Sequence, residues 1–515
     1  MINRIENGNR WGNTASLPAP HNTEASRQGG QTAALPTARS GSRSIDFGDA
    51  SPNLSPVSSG LRSMSPARVL PTMQIADSSL IAEPKPPVDL QAIDSSEHSN
   101  AKALEKWSAL LSDLPENERE KAAKELNRPL AAAKMLQEGG TNAEKALVYL
   151  RENPAIYTAM DTAKDGGRAD GHISNRDTKS FIKSMERRAS DASHAVQEYR
   201  EKNPTADAQS LRLVQSSALL LANEPLLNAA DAKKSYTHSP PQKNDRTSTL
   251  TDLNAIMTDN PTLSPQLKAA ARLWSNPGLF GILEHADVKG EKLARVPHDG
   301  KLMMKDMKSW IREQAPVNHQ EAADTLHNAA ALGLAAKTDI STLNEAVFTR
   351  PQQYSGAQKS ATLVKLQQTL EQVMAGREYR NTEETEKVLN QRIEVLQKDR
   401  DVIQHFEQAV PREINTILLS DPLLAQAAGS KTAIGLAGKA GAAIAGKVVG
   451  AIAGEAAASA VGAAAGPVGG ALSIGTGIAE LVSFFNAKSK LKNRREDFAK
   501  TVNPALEQFN IPKPR

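Results

Sequence analysis

No cysteine occurs anywhere in the 515 residues of this chain. That excludes a disulfide framework, a thiolate metal site and a thiol nucleophile. Aromatic residues are scarce too, at 4%, so large side chains cannot fill several big cores. Neither sign of charge dominates: the formal net charge is +4, and no Lys/Arg block alternates with aromatics. This argues against nucleic acid as a partner. Alternating β-branched runs are missing, which leaves strands without support. The opening stretch MINRIENGNRWGNTASLPAPHN has no apolar core ahead of a small-residue cleavage site, so Sec-type export is not expected. No HExxH, Walker-type glycine loop or GxSxG occurs, and neither an enzyme nor a required cofactor is expected.

What is present is mainly helical. Residues 1–95 are rich in Ser, Pro, Asn, Gln and Gly without apolar period, the composition of a disordered export region. Residues 96–350 carry helical stripes. Leu104, Trp107, Leu110 and Leu111 share one face, and Ser210–Leu221 is broadly apolar. Residues 355–425 read as a helical hairpin or coiled coil. One stripe there is Leu363, Leu366, Leu370 and Val373. The other is Leu389, Ile393 and Leu396, followed by Ile403, Phe406 and Val410. Asn381 and Thr382 ahead of a Glu-rich run mark a fresh helix start.

Two segments resemble each other, at 153–182 and 276–311. Each starts with Asn-Pro, runs through an apolar helix and a polar loop to Asp-Gly, and then begins another helix. Asp170, Gly171, Ile173 and Asp177 correspond to Asp299, Gly300, Leu302 and Asp306. A fainter copy runs from Asn223 to Leu253, with Arg246 in place of the glycine. This spacing imitates the second half of an EF-hand calcium loop, where a glycine makes the sharp turn and a carboxylate closes the loop. Candidate ligands in the first loop are Asp161, Asp165, Asp170, Ser174 and Asp177. The second, weaker set is Asp287, Glu291, Asp299 and Asp306. Gly171 and Gly300 are the turn glycines. The competing reading is a turn without an ion, in which Asp177 caps the next helix.

Residues 431–487 are almost uniformly Ala, Gly and aliphatic, and no charge lies between Glu455 and Glu480. That charge-free run is long enough to cross a bilayer as a helix. Lys431, Lys439, Lys447 and Glu455 recur every eight residues, so each sits about 80° around the helix from the last, without forming a polar stripe. Pro467 interrupts the run, leaving one kinked span or a hairpin. Gly462, Gly466 and Gly470 permit close helix contact. Glu480, Phe484 and Phe485 follow. The basic tail, 488–515, begins with Lys488, Lys490, Lys492, Arg494 and Arg495, placed to meet anionic headgroups. The expectation is a membrane-competent set of C-terminal helices. Its rival buries the same Ala/Gly segment against the helical body.

The NP…DTAKDGGRADGHIS…D block, its variant NPGLF…PHDGKLMMKDMKSWI, the Ser/Pro-rich start and GAAAGPVGGALSIGTGIAELVSFF together resemble the HrpF/NopX (NolX) family. Its members are type III secretion translocon proteins of plant-associated bacteria. The resemblance covers roughly residues 100–510. It implies virulence-associated secretion by the type III apparatus, localisation at the host cell membrane, and a share in a pore that admits effectors. Partners so implied are the apparatus, host plasma membrane lipids, and other translocon proteins or further copies of the chain. The alternative is a secreted soluble effector or helical interaction protein.

Overall fold

Proline and small polar caps decide where the helices of this chain begin. The computed structural model describes residues 90–100, 103–164, 169, 171–229, 246–297, 299–429 and 477–515, all within the unit Glu83–Arg515. Among these residues the regular structure is helical, with one isolated bridge and no sheet. Short helices α1 (Leu90–Asp94), α2 (Glu97–Asn100) and α3 (Ala103–Trp107) lead to α4 (Glu116–Glu138) and α5 (Gly140–Glu152). Then come α6 (Pro154–Asp161), the long α7 (Asn175–Lys202), α8 (Ala208–Ala222) and α9 (Glu224–Leu227). Next are α10 (Leu250–Thr258), α11 (Pro265–Trp274), α12 (Pro277–Glu284) and α13 (Met304–Glu313). The order ends with α14 (His319–Ala336), α15 (Ala346–Thr349), α16 (Gly356–Ala375), α17 (Glu383–Gln397), α18 (Arg400–Ser420), α19 (Pro422–Ala428) and α20 (Gly477–Gln508).

Helix α8 is the centre. Its Asp207 cap accepts the Ser210 amide at 2.7 Å, satisfying one of the donors a helix start leaves open. Every residue from Gln209 to Ala222 except Leu211 is buried, because α7, α11, α13, α14 and α19 pack around it. Leu213, Leu219, Leu220 and Leu221 are fully enclosed, each stabilising the fold by roughly 1.5–3 kcal/mol. The polar residues of α8 find partners inside. Arg212 donates to Asp421 Oδ2 at 2.8 Å and Asp113 Oδ2 at 2.9 Å. Gln215 donates to Ala109 O and Ser112 Oγ, and Ser216 Oγ accepts Trp274 Nε1 at 2.9 Å. Trp274 in turn meets Trp310 edge to face at 4.9 Å.

Around this centre the second half of the chain closes tightly. A Cβ at Gly278 would lie 1.7 Å from Ala329 O, so α12 and α14 are in backbone contact there. Lys337 Nζ and Asn276 Nδ2 both donate to the buried Glu413, at 2.7 and 2.8 Å. Helices α16, α17 and α18 form a three-helix group. Buried Lys359 Nζ ties α16 to the start of α18 through Asp399 and Asp401, at 2.8 and 2.6 Å. The α16 stripe faces the core, as do Leu389, Ile393 and Leu396. On α18 it is Val402 that is buried, while Ile403 is half-buried. The Asp399 cap restarts the helix at Arg400 and resets its phase.

The chain ends of this unit also differ from the sequence reading. Of the expected disordered stretch 1–95, residues 1–89 lie outside the described residues, and Leu90–Asp94 is α1 with Ile93 buried. Most of the basic tail lies on helix α20, and Phe498, Val502 and Leu506 of that helix and Phe509 just past it are buried.

The expected membrane-competent helices require correction. No helix among the described residues is long and apolar enough to cross a membrane. Glu480, Phe484 and Phe485 fall in α20, whose apolar start gives way at Lys488 to a charged stretch. That start is well short of the roughly 20 apolar residues a span needs. Gly462, Gly466, Pro467 and Gly470 lie outside the described residues. With no such helix described, the readings that depended on one, pore formation and residence in the host membrane, are withdrawn.

Arg212 is 1% exposed and Asp421 0%. Truncating one partner leaves the other charge buried and unpaired. Arg212→Ala is expected to cost about 3–5 kcal/mol in urea unfolding. Asp113→Asn, where the carboxylate is partly solvated, should cost clearly less. Equal, sub-kilocalorie effects of both would refute this account.

Candidate functional site

Three helix–loop–helix copies carry the residues singled out by the sequence, and each is stapled by its own acids. In the first copy, Pro154 starts α6 in the first turn, where its missing N–H costs nothing. Asp161, the last residue of α6, accepts the Gly171 amide at 2.9 Å. Tyr157 Oη donates to Gly171 O at 2.6 Å, so both faces of the turn are fixed to the preceding helix. Gly171 has φ +81°, a conformation that strains any residue with a Cβ. Ser174 then caps α7 by accepting the Arg176 and Asp177 amides, and Asp177 Oδ2 accepts the Ser174 amide at 2.9 Å. This is a reciprocal capping box.

The second copy repeats the scheme with different residues. Asn276 Oδ1 caps α12 through the Gly278 and Leu279 amides. Glu284 ends that helix and accepts the Asp299 and Gly300 amides, both at 2.7 Å. Gly300 has φ +72°, and Asp306 Oδ2 accepts the Met303 amide at 2.8 Å. Glu284 escaped the sequence reading. Its signal was position: it follows Asn276 by the interval that separates Asp161 from Asn153.

The third copy keeps the turn without the glycine. Arg246 adopts φ +61°. Thr249 and Asp252 form a capping box, with the Thr249 amide 2.7 Å from Asp252 Oδ2. Two residues past Arg246, Ser248 pairs with Leu302 of the second copy in an antiparallel bridge, N···O 2.8 and 2.7 Å. The second and third loops are thereby joined back to back.

The acids named as calcium ligands go to separate places. In the first loop, Asp161 and Asp177 hold backbone amides, while Asp165 and Asp170 lie outside the described residues. In the second, Asp287 pairs with Lys305 Nζ at 2.8 Å and Asp299 accepts the Lys301 amide. Glu291 accepts Tyr379 Oη at 2.8 Å and meets Arg494 at 3.2 Å. No cluster of three or more His, Asp or Glu among the described residues is placed to hold a metal ion. The chemistry these carboxylates perform is acceptance of loop N–H groups, which otherwise cost free energy when buried. Burial pushes the Asp306 carboxyl up to about 6, against the opposing pull of the Met303 amide.

Of the residues assigned to headgroups, Arg494 pairs with Glu291 in a partly exposed contact, and Lys492 lies 3.8 Å from Glu496. Arg495 is exposed, and Lys488 and Lys490 lie on α20.

Comparison with known proteins follows this geometry. A family model described as type III secretion system translocator protein, HrpF, matches residues 126–376. The pathogenicity locus protein HrpK of Pseudomonas syringae pv. syringae is 43% identical over 352 residues, 68% of this chain and 55% of that protein. The chain thus spans about half the length of the curated relative it matches. No solved structure matches.

Two measurements check the loop account. Arg246→Gly relieves a left-handed residue and should raise stability by about 1 kcal/mol, whereas Gly300→Ala should lower it by a similar amount. Opposite or null shifts in thermal unfolding would count against the shared turn. For Asp306 the folded state holds its proton up to about pH 6, while the unfolded chain releases it near its ordinary value. The native state therefore binds more protons between these limits, and stability falls as pH rises through that window. Asp306→Asn should remove this decline, and unfolding midpoints across the same range would show it.

Proposed function

Because the chain belongs to the HrpF/HrpK-type family of type III secretion translocator proteins, we propose that it serves type III secretion as a helical interaction protein, acting through protein–protein contact. One observation carries the reading. The matched residues 126–376 run from inside α4 to the C-cap of α16, and so contain all three helix–loop–helix copies. What relates the chain to the family is therefore a packed helical architecture whose conspicuous acids hold its own amides. The protein is not an enzyme; its family is one of translocators.

The partners this reading calls for are components of the secretion apparatus and other proteins that pass through it. Loops and helix faces rather than a cleft would make such contacts. A hollow between α7 and α13, about 170 Å³ and lined in part by Asp191, Glu198, Lys202, Lys308 and Arg312, mixes both signs of charge. That suits a protein rim better than a small-molecule pocket, which is mostly apolar. Calcium at the first loop remains a proposal of its own, resting on Asp165 and Asp170.

The test uses bacteria that produce the full chain. With a working type III apparatus the chain is expected in the culture supernatant, and cross-linking is expected to recover it with a component of that system. Equal amounts in the supernatant of a strain with a disabled apparatus would overturn the proposal.

A further inference from the structure

The segment after α20 is held in an unusual way. The helix ends in a Schellman turn: Asn510 takes φ +48°, its amide donates to Glu507 O at 3.1 Å, and the Ile511 amide donates to Leu506 O at 2.8 Å. Asn accepts the left-handed position at lower cost than most residues, and buried Ile511 supplies the usual apolar contact. Beyond the turn the chain runs alongside α17, from Arg392 back past the start of that helix. Alternate carbonyls are taken by side chains: Asn510 O by Arg392 at 3.4 Å, Pro512 O by Thr385 at 2.8 Å, and Pro514 O by Arg380 at 3.5 Å. At the far end Asn381 and Arg515 exchange both backbone hydrogen bonds, at 2.8 and 3.0 Å.

These contacts address the main chain. Side chain to side chain, Arg515 meets Glu384 of α17 at 3.0 Å, both exposed, and such a pair adds little. Pro512 and Pro514 have no N–H, so the segment carries fewer donors needing partners. Proline also pre-extends the segment, which lowers the entropy lost on docking. A site built this way selects an extended proline-spaced backbone more than a particular sequence. The chain contains a second run of this kind: Pro84-Lys85-Pro86-Pro87 repeats Pro512-Lys513-Pro514, and it lies outside the described residues.

We propose that Thr385 and Arg392 on α17, with Arg380 just before that helix, form a peptide-recognition groove, occupied in cis by Asn510–Arg515 and exchangeable in trans for the Pro84–Pro87 segment of a second copy of this chain. The exchange makes no new fold; it replaces one Pro-Lys-Pro backbone by another on the same donor side chains, and gives up the bond from the Arg515 amide to Asn381 O, because Pro87 in that place has no N–H.

Because the chain has no cysteine, a dye can be placed on the full-length protein at Lys513→Cys, an exposed position. Its anisotropy reports whether the segment is docked. A synthetic peptide of residues 82–89, AEPKPPVD, should lower the anisotropy saturably while helical circular dichroism stays constant. The same peptide with serine at the three proline positions should not. Unlabelled full chain in excess should act like the peptide, and its Pro84→Ser/Pro86→Ser variant should act less. In the converse experiment, dye-labelled peptide should bind Thr385→Val protein about fivefold more weakly than the natural chain, the loss of one hydrogen bond. No change with the proline peptide, or an equal change with the serine peptide, would overturn the proposal.

Discussion

The fold depends on a buried charge that two distant parts of the chain must neutralise together. Arg212 sits on the enclosed helix α8, and its partners come from the turn after α3 and from the start of α19. An isolated guanidinium there would cost many kilocalories per mole. The helix can be buried only when both carboxylates arrive. Asp421 has a second task, since Oδ1 caps α19 through the Leu423 and Leu424 amides. One carboxylate thus fixes a helix start and anchors that helix to the centre. Replacing such a pair by apolar residues would be nearly neutral in energy, so its effect is on which arrangement forms.

The same economy recurs at the loops. A helix end exposes amides, and a tight turn exposes more. Asp161, Glu284, Asp177, Asp252 and Asp306 each accept them from the helix before or the helix after. This explains why an acid pattern that imitates a cation loop also serves without one. A carboxylate engaged by two amides, as Glu284 is, has its charge already compensated locally. The bridge between Ser248 and Leu302 then locks two such loops together and fixes how α10 and α13 approach.

Much of this was legible in sequence where the signal is local. The apolar run of α8, the stripe Leu363–Val373 on α16, the turn glycines and the repeat itself all depend on residues a few positions apart. What was not legible depends on distance along the chain. Nothing near Arg212 announces Asp421, and nothing near Gly376 announces Phe498, whose ring lies 2.3 Å from where a Cβ at that glycine would be. Phe498, Val502, Leu506 and Phe509 do keep a helical period. The charges at Arg494–Asp497 hid it and made the segment look like a solvated basic tail. Ala/Gly richness misled in the opposite direction: length without charge suggested a span, yet small side chains give a weak hydrophobic signal. In α20 the apolar stretch passes straight into charged helix.

The boundaries of the family match and those of the fold do not coincide, and the difference has a physical consequence. The match stops at Gly376, but α8 and α16 are completed by residues beyond it. Without Asp421, Arg212 keeps only Asp113, which is partly solvated. Without α20, the pocket over Gly376 and Tyr379 loses Phe498. Without α18, Lys337 and Asn276 lose Glu413, and Lys359 loses Asp399 and Asp401. The losses at Arg212 and Lys359 strand a buried charge, and that of Phe498 opens a cavity; either costs a sizeable share of the stability of a domain. The matched region is therefore a recognisable part of the protein that cannot keep this structure by itself. Its packing is finished by α17 to α20, and any surface it offers to a partner is held in shape from there.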